Sequence, residues 1–276
     1  MAYSNYNKHN GSPRRDSGNF SSRSSGNGGD RPASAPVYSV QNTLKELLGN
    51  DFANLESGSL RLNKMLRFYS DREKKKTKGD PELESICKRI NDCGKKVQPS
   101  PIDVPGLKQF RMKLAGRMMI NQSGSVLNLG ILLHRNFSCP FIPGSALKGV
   151  ARHYVKQNFG DNGDFLRIFG QGEVAGSVAF LNAFPSPESN WKMVVDVLTK
   201  HNDLDEPVLD TKNPVPIFFP AVEKGAVFTF AVAPAKTGSR TADADVEMAM
   251  KWLKAALKEW GVGAKTSAGY GWFKEA

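Results

Sequence analysis

Two short stretches carry residue types and spacings suited to holding an anion. The first is GVGAKTSAGYGWF, residues 261–273. Gly261, Gly263, Gly269 and Gly271 form the pattern GxGxxxxxGxG, with Lys265 and Thr266 between the two pairs. Glycine lacks a Cβ and accepts positive φ, so such a backbone can come very close to a polyanion. The lysine would supply charge and the threonine a hydroxyl. The second stretch is Ile142-Pro143-Gly144-Ser145-Ala146-Leu147-Lys148-Gly149. Pro143-Gly144 predicts a tight turn, and Ser145 is placed as the N-cap of a helix. The apolar face of that helix is Leu147, Val150, Ala151, Tyr154 and Val155. Lys148, Arg152 and Lys156 run up another face at i, i+4 and i+8. A helix N-terminus with free N–H groups beside a cationic stripe is a ready phosphate site. The plain alternative is a capped helix with solvated lysines.

Other chemistries fit these letters less well. A P-loop needs Lys directly after its second glycine, between a strand and a helix. Here Ala264 separates Gly263 from Lys265, and the glycines follow a predicted helix. A dinucleotide fingerprint fails because no βαβ unit surrounds the loop. Ser145-x-x-Lys148 and Lys236-Thr237-Gly238 match two motifs of serine acyl-transfer enzymes. No S-x-N element lies suitably between them, and the two matches sit too close together. Of the four histidines, His9 lies in a low-complexity tail. His134, His153 and His201 could meet in space as a metal-independent ribonuclease site, with histidine as general base. A histidine in a strand or helix is more often structural. No Asp/Glu/His cluster has metal-ligand spacing, and Cys87, Cys93 and Cys139 include no CxxC pair. No cofactor and no metal is expected.

These motifs need a scaffold, and the 276 residues are enough for a full core. Residues 1–36 are Ser, Gly, Asn and Arg with scarcely an aliphatic side chain, which predicts disorder. From 39 to 98 the pattern is helical and basic, and RLNKMLRFYSDREKKKTKG puts Leu62, Met65, Leu66 and Tyr69 on one face. Residues 61–96 hold twelve Lys/Arg against six Asp/Glu, more than half of the net charge of +11. A surplus this concentrated suits a nucleic-acid contact as well as a solvated helix face.

After residue 106 the reading turns to interleaved strands and helices. FRMKLAGRMMI alternates, with Met112, Leu114, Met118 and Ile120 inward and Arg111, Lys113 and Arg117 outward. A second apolar run covers Val126–Leu133. Strands are predicted at SVAFLNAF, WKMVVDVL and across IFFPAVEKGAVFTFAV, where Glu223-Lys224-Gly225 makes a hairpin turn. A long helix follows from Asp243 to Trp260, with Val246, Ala249, Leu253, Leu257 and Trp260 as its apolar stripe. The class is α+β. Tyr270, in the strand after the loop, is placed either to stack on a base or to pack under the sheet. No apolar run approaches the roughly 20 residues that span a bilayer, and the N-terminal segment has no apolar core of a secretory signal. A cytoplasmic protein is expected.

IPGSALKG opening a helix, with GVGAKTSAGYG after a long later helix, resembles the RAMP superfamily of CRISPR RNA-binding proteins. The second stretch reproduces that family's glycine-rich loop almost in full. The likeness covers about residues 106–276, includes the strand ending Asp196-Val197-Leu198-Thr199-Lys200-His201, and is strongest to the Cmr branch of type III-B effector complexes. Segment 1–105 shows no such likeness.

The resemblance implies a ferredoxin-like (RRM-type) fold with an antiparallel sheet over 106–276. Before it would stand a basic, mainly helical region, 37–105, and the disordered tail 1–36. It implies a non-catalytic structural subunit that binds guide RNA (crRNA) near its 3′ end and caps a filament of backbone subunits. The implied partners are the guide, target RNA, and other Cmr-type RAMP backbone and small subunits, with no membrane. Gly144, Ser145, Lys148 and Arg152 would hold phosphates. Lys265, Thr266 and Tyr270, flanked by Gly261, Gly263, Gly269 and Gly271, would clamp the strand.

One departure is informative. Target-cleaving backbone RAMPs carry an aspartate in the loop before this turn, whereas the nearest position here reads Val126-Leu127-Asn128-Leu129-Gly130. No Asp or Glu occurs from 107 to 160. An amide cannot carry the negative charge that metal-assisted phosphodiester cleavage uses. The alternative within the superfamily is a metal-independent, guide-processing endoribonuclease acting through His134, His153 or His201.

Overall fold

Long-range pairing decides the first elements more than local periodicity does. The structure, a computed structural model, describes residues 37–38, 67–68, 81–94, 104–120, 131–200, 215–235 and 242–276. All fall in the second of the two units into which the chain divides, Pro36–Ala276. The tail 1–36, most of the basic region 37–105, Asn128 and His201 lie outside the described residues.

Val37–Tyr38 (β1) pairs antiparallel with Arg67–Phe68 (β2), so the helix read through Phe68 is not what forms there. Aromatic and β-branched residues suit an extended ladder, and a partner about thirty positions away leaves no mark on a local 3.6 period. Helix α1, Pro81–Cys93, does follow its pattern. Proline occupies the first turn, Glu82 and Glu84 face the positive end of the dipole, and Leu83, Ile86, Cys87 and Ile90 are buried.

The main sheet follows. Strand β3 is Lys108–Leu114, with Phe110, Met112 and Leu114 buried and Arg111 and Lys113 exposed. Helix α2, Gly144–Phe159, and the short α3, Gly163–Phe169, come next. A small hairpin, Gly170–Gln171 (β4) with Val174–Ala175 (β5), leads to Val178–Phe180 (β6) and Phe184–Pro185 (β7). Met193–Lys200 (β8) and Val215–Val222 (β9) form their own antiparallel ribbon. Val227–Pro234 (β10), helix α4, Ala242–Glu259, and Phe273–Glu275 (β11) complete the order.

The main sheet runs β11-β3-β10-β6, all antiparallel, with β7 also on β10. Helices α2 and α4 lie against each other and cover one face of it. Between the layers Phe110 stacks on Phe230 at 5.2 Å between centroids, and Phe273 meets Phe230 edge-on at 5.3 Å. The α4 stripe of Val246, Ala249, Leu253 and Leu257 is fully buried, as its spacing predicts.

Glu223-Lys224-Gly225 forms a turn, but its flanking strands do not pair with each other. β9 pairs with β8 and β10 with β3. The ribbon joins the body through an isolated bridge between Met118 and Val222. It is also held by α1, whose Asn91 exchanges two hydrogen bonds with the backbone of Met193, at 2.6 and 3.0 Å. Inside α4 a wholly buried Asp245 accepts three bonds from Arg167, two from Nε and one from Nη2, at 2.8–3.1 Å, and one from Ser177 Oγ at 2.6 Å.

Candidate nucleic-acid interface

At the start of α2 the N-cap is Pro143, not Ser145. Pro143 has extended φ and ψ of −60° and 139° and no side-chain acceptor. Capping comes from elsewhere in the chain, because Asn182 Oδ1 accepts the Gly144 N–H at 2.9 Å. The N–H groups of Ala146 and Leu147 both bond to the Pro143 carbonyl. Among the described residues only the Ser145 N–H of this turn is left without a partner. Gly144 is buried, and a Cβ there would meet the Phe180 carbonyl at 2.0 Å. Close helix-to-strand packing therefore accounts for this glycine.

The cationic stripe divides. Lys156 pairs with Asp161 at 3.6 Å, and the Arg152 guanidinium lies 5.4 Å above the Phe165 ring. Lys148 has no ion-pair partner among the described residues, and neither has Lys265.

The glycine-rich loop is stitched to residues 115–120. Val262 N–H bonds to the Gly271 carbonyl, Ala264 N–H to Met119, and Gly271 N–H to Arg117, at 2.7–2.9 Å. Ala115 N–H bonds to the Trp272 carbonyl at 2.8 Å. Gly263 and Gly271 have φ of 106° and 70°, and added Cβ atoms would meet the carbonyls of Met119 at 2.5 Å and Val262 at 2.0 Å. These two glycines let backbone approach backbone within the protein. Gly261 is buried in the same junction, whereas Gly269 faces open space. Lys265 itself takes the left-handed conformation, φ 60° and ψ 35°, with its side chain exposed. The Thr266 carbonyl accepts from Trp272 Nε1 at 2.7 Å.

Tyr270 packs inward. Its ring tilts against Phe219 at 6.0 Å, and its hydroxyl donates to Asp196 Oδ2 at 2.7 Å. Arg117 Nη1 holds the other carboxylate oxygen at 2.8 Å and its Nε reaches Glu223 at 3.4 Å. Burial and the bond to Asp196 push the Tyr270 phenol up to about 12. Burial pushes the Asp196 carboxyl up, but the bonds from Tyr270 and Arg117 outweigh it and leave it below the ordinary range. Of the two readings of Tyr270, the packed one describes its surroundings.

The two motifs, more than a hundred residues apart in sequence, line one cleft of about 560 Å³. Ala146, Gly149 and Val150 of α2 form one side, and Trp260, Val262, Gly263, Ala264 and Thr266 belong to the segment after α4. Lys148 and Lys265 each adjoin a lining residue in the chain. The sequence did not mark Gly149, Val150 or Trp260 as cleft residues, because their spacing reads only as helix. Nor did it pair Arg117 with Asp196, since nothing local links a loop to a strand so far along.

The two candidate histidines among the described residues, His134 and His153, pack against different aromatic groups. His134 stacks on Phe137 at 4.5 Å and lies edge-on to Phe141 and Phe184, with Nδ1 buried and without a partner among the described residues. His153 is exposed and lies edge-on to Trp260 at 4.9 Å. Among the described residues no group of three or more His, Cys, Asp or Glu is arranged to hold a metal. No helix among them is long and apolar enough to cross a membrane.

A sheet ordered β11-β3-β10-β6 under two helices, with a glycine-rich loop closing on the first, accords with a family assignment made on sequence. The model of the RAMP superfamily matches residues 27–274, and the chain belongs to that superfamily. Within it, the chain is similar to the CRISPR system Cmr subunit Cmr6 of Pyrococcus furiosus, 29% identical over 229 residues, covering 58% of this chain and 66% of that one. It is also similar to the Cmr6 of Saccharolobus solfataricus, 28% identical over 171 residues, covering 60% of this chain and 56% of the relative. The matched part thus spans just under two thirds, and just over half, of those relatives. A chain in the cryo-EM structure of the type III-B Cmr-beta bound to cognate target RNA shares the fold, with a TM-score of 0.52 and 20% identity over 84% of this chain and 88% of that one.

Proposed function

We propose that this chain is a non-catalytic, guide-RNA-binding structural subunit of a type III-B CRISPR interference complex. It holds the guide near its 3′ end and caps the filament of RAMP backbone subunits, with small subunits and target RNA as further partners. The observation that carries this reading is the meeting of IPGSALKG and GVGAKTSAGYG in one cleft, where Lys265, between the lining residues Ala264 and Thr266, has no acidic partner among the described residues. The similarity to two Cmr6 proteins supports the choice of complex.

The phosphate contacts fall to Lys148, Lys265, the Ser145 N–H and the Thr266 hydroxyl, with Arg152 further along α2. Gly144, Gly261, Gly263 and Gly271 shape the site from within, and Tyr270 braces it. Gly269, open to solvent, lets the strand approach. Recognition is mainly of phosphates, so it is strongly salt-dependent and weakly sequence-dependent.

The order β3-α2-β6-β10-α4-β11, with β3 and β10 central in the sheet, supports a ferredoxin-like reading of 106–276. The lack of any Asp or Glu from 107 to 160 supports binding without cleavage. The protein works in the cytoplasm.

The test is to mix the purified protein with end-labelled, repeat-containing RNA, with and without EDTA, on native and denaturing gels. A salt-sensitive shift with the RNA intact is expected. A discrete product that survives EDTA would replace this reading with a histidine-based ribonuclease. No shift even at low salt would remove RNA binding altogether.

A further inference from the structure

Gly149 is a glycine that its own fold does not require. It sits inside α2, where glycine is disfavoured relative to alanine. Its backbone is not in the left-handed region, and an added Cβ would meet nothing within 4 Å. Gly144 in the same helix differs, because there a Cβ would strike the Phe180 carbonyl at 2.0 Å. What Gly149 borders is the cleft, and its missing side chain leaves that wall low.

The rest of the cleft narrows the choice of occupant. Val150, Val262, Ala264 and the Trp260 indole give it apolar and aromatic walls. Its volume of about 560 Å³ falls in the range of small-ligand sites, roughly 300–1,000 Å³. Lys265, exposed, stands in the chain between the lining residues Ala264 and Thr266 and has no acidic partner among the described residues. Apolar walls with a cation beside them suit an uncharged planar ring tethered to a phosphodiester. An aliphatic side chain from a partner protein would fill the walls and leave that lysine unused.

We infer that the cleft takes one nucleobase turned out of the bound RNA strand, its ring against Trp260 and over Gly149, with Lys265 on a flanking phosphate. This rests on the RNA-binding reading above and adds to it a contact made by a base. Base–aromatic stacking tolerates any base, so the contact adds affinity without imposing a sequence.

The test is a double comparison on the full chain. Affinities for a short oligouridylate and for an abasic ribose-phosphate strand of equal length are measured in wild type and in Gly149→Leu, across a range of salt. Leucine is a strong helix former and projects into the cleft. Wild type should prefer the oligouridylate by about tenfold. Gly149→Leu should lose most of that preference, while both proteins keep the same salt slope. A preference unchanged in Gly149→Leu would overturn the base pocket and leave RNA binding standing. Absence of binding by either strand to wild type would instead overturn the RNA-binding reading itself. A second measurement needs no variant: an oligouridylate carrying 5-iodouridine is cross-linked to wild type by light and the adduct mapped. Attachment at Trp260 or another cleft residue supports the inference, and attachment confined to residues outside the cleft refutes it.

Discussion

Tyr270 at the end of the glycine-rich loop donates a hydrogen bond to Asp196 of strand β8, 74 residues away, at 2.7 Å. Arg117 closes the arrangement on the other carboxylate oxygen. Three segments distant in sequence thus meet at one half-buried carboxylate: the loop, the segment after β3 and the β8–β9 ribbon. The loop is held by a charge as well as by its backbone bonds.

Removing the phenol should therefore cost stability without emptying the site. Tyr270→Phe keeps the ring on Phe219 and removes a bond to a charged acceptor, worth about 1.5 kcal/mol. Urea unfolding at neutral pH should show that loss. The folded Tyr270 titrates near 12, above the roughly 10 of an unfolded tyrosine. Its contribution is complete below pH 10 and disappears as pH rises through 12, so wild type and Tyr270→Phe should converge over that window. A difference that persists above pH 12 would show that the bond is not its source.

Lys148 and Lys265, without an acidic partner among the described residues, predict a binding phenotype. Lys148→Ala and Lys265→Ala should each weaken RNA binding at low salt and reduce the slope of log affinity against log salt by about 1. Titrations at several salt concentrations read both quantities. Lys156→Ala, which removes a lysine already paired with Asp161, should change the slope less. Equal effects from all three would leave the cleft with no special role.

Glycines in one loop should differ sharply when replaced. Gly271→Ala puts a Cβ 2.0 Å from the Val262 carbonyl and Gly263→Ala puts one 2.5 Å from that of Met119, both at positive φ. Each should cost about 3 kcal/mol, from contact and backbone strain together. Gly269→Ala has positive φ and no close neighbour, so it should cost about 1 kcal/mol. Thermal or urea unfolding of the three variants checks the order.

Asp245 holds the start of α4 against α3 and the strand entry at Ser177. Asp245→Ala leaves Arg167 facing the space its buried partner vacated, though Asp164 remains at 2.7 Å. A loss of about 3 kcal/mol is expected in denaturant unfolding. Lys108→Ala breaks a pair with Glu247 in which both side chains are largely exposed, and should cost under about 1 kcal/mol.

The body of the fold was legible where burial follows a local period. Met112 and Leu114 alternate with Arg111 and Lys113 because one face of β3 lies under helices, and the α4 stripe is buried for the same reason. The Glu223-Lys224-Gly225 turn was legible as well. The partners of its strands were not, since pairing of β9 with β8 depends on a ribbon that tertiary contacts hold in place. Ser145 looked like the cap because caps are read from the nearest suitable residue, whereas Pro143 is the N-cap and the capping acceptor is Asn182, 38 positions from Gly144. For the candidate site, both motifs were visible in sequence. Their convergence on one cleft, and the Arg117–Asp196–Tyr270 brace, arise only once the chain has folded back on itself.

The backbone bonds between the glycine-rich loop and residues 115–120 bear on the timescale of the loop's motion. Amides such as Val262, Ala264 and Gly271 belong to the same cooperative unit as the edge of the main sheet. Their exchange with solvent deuterium should follow opening of that whole unit, far slower than the nanosecond breathing of a free loop. Glycine-rich sequence here encodes rigidity, and a strand that docks on it orders little of the protein in doing so.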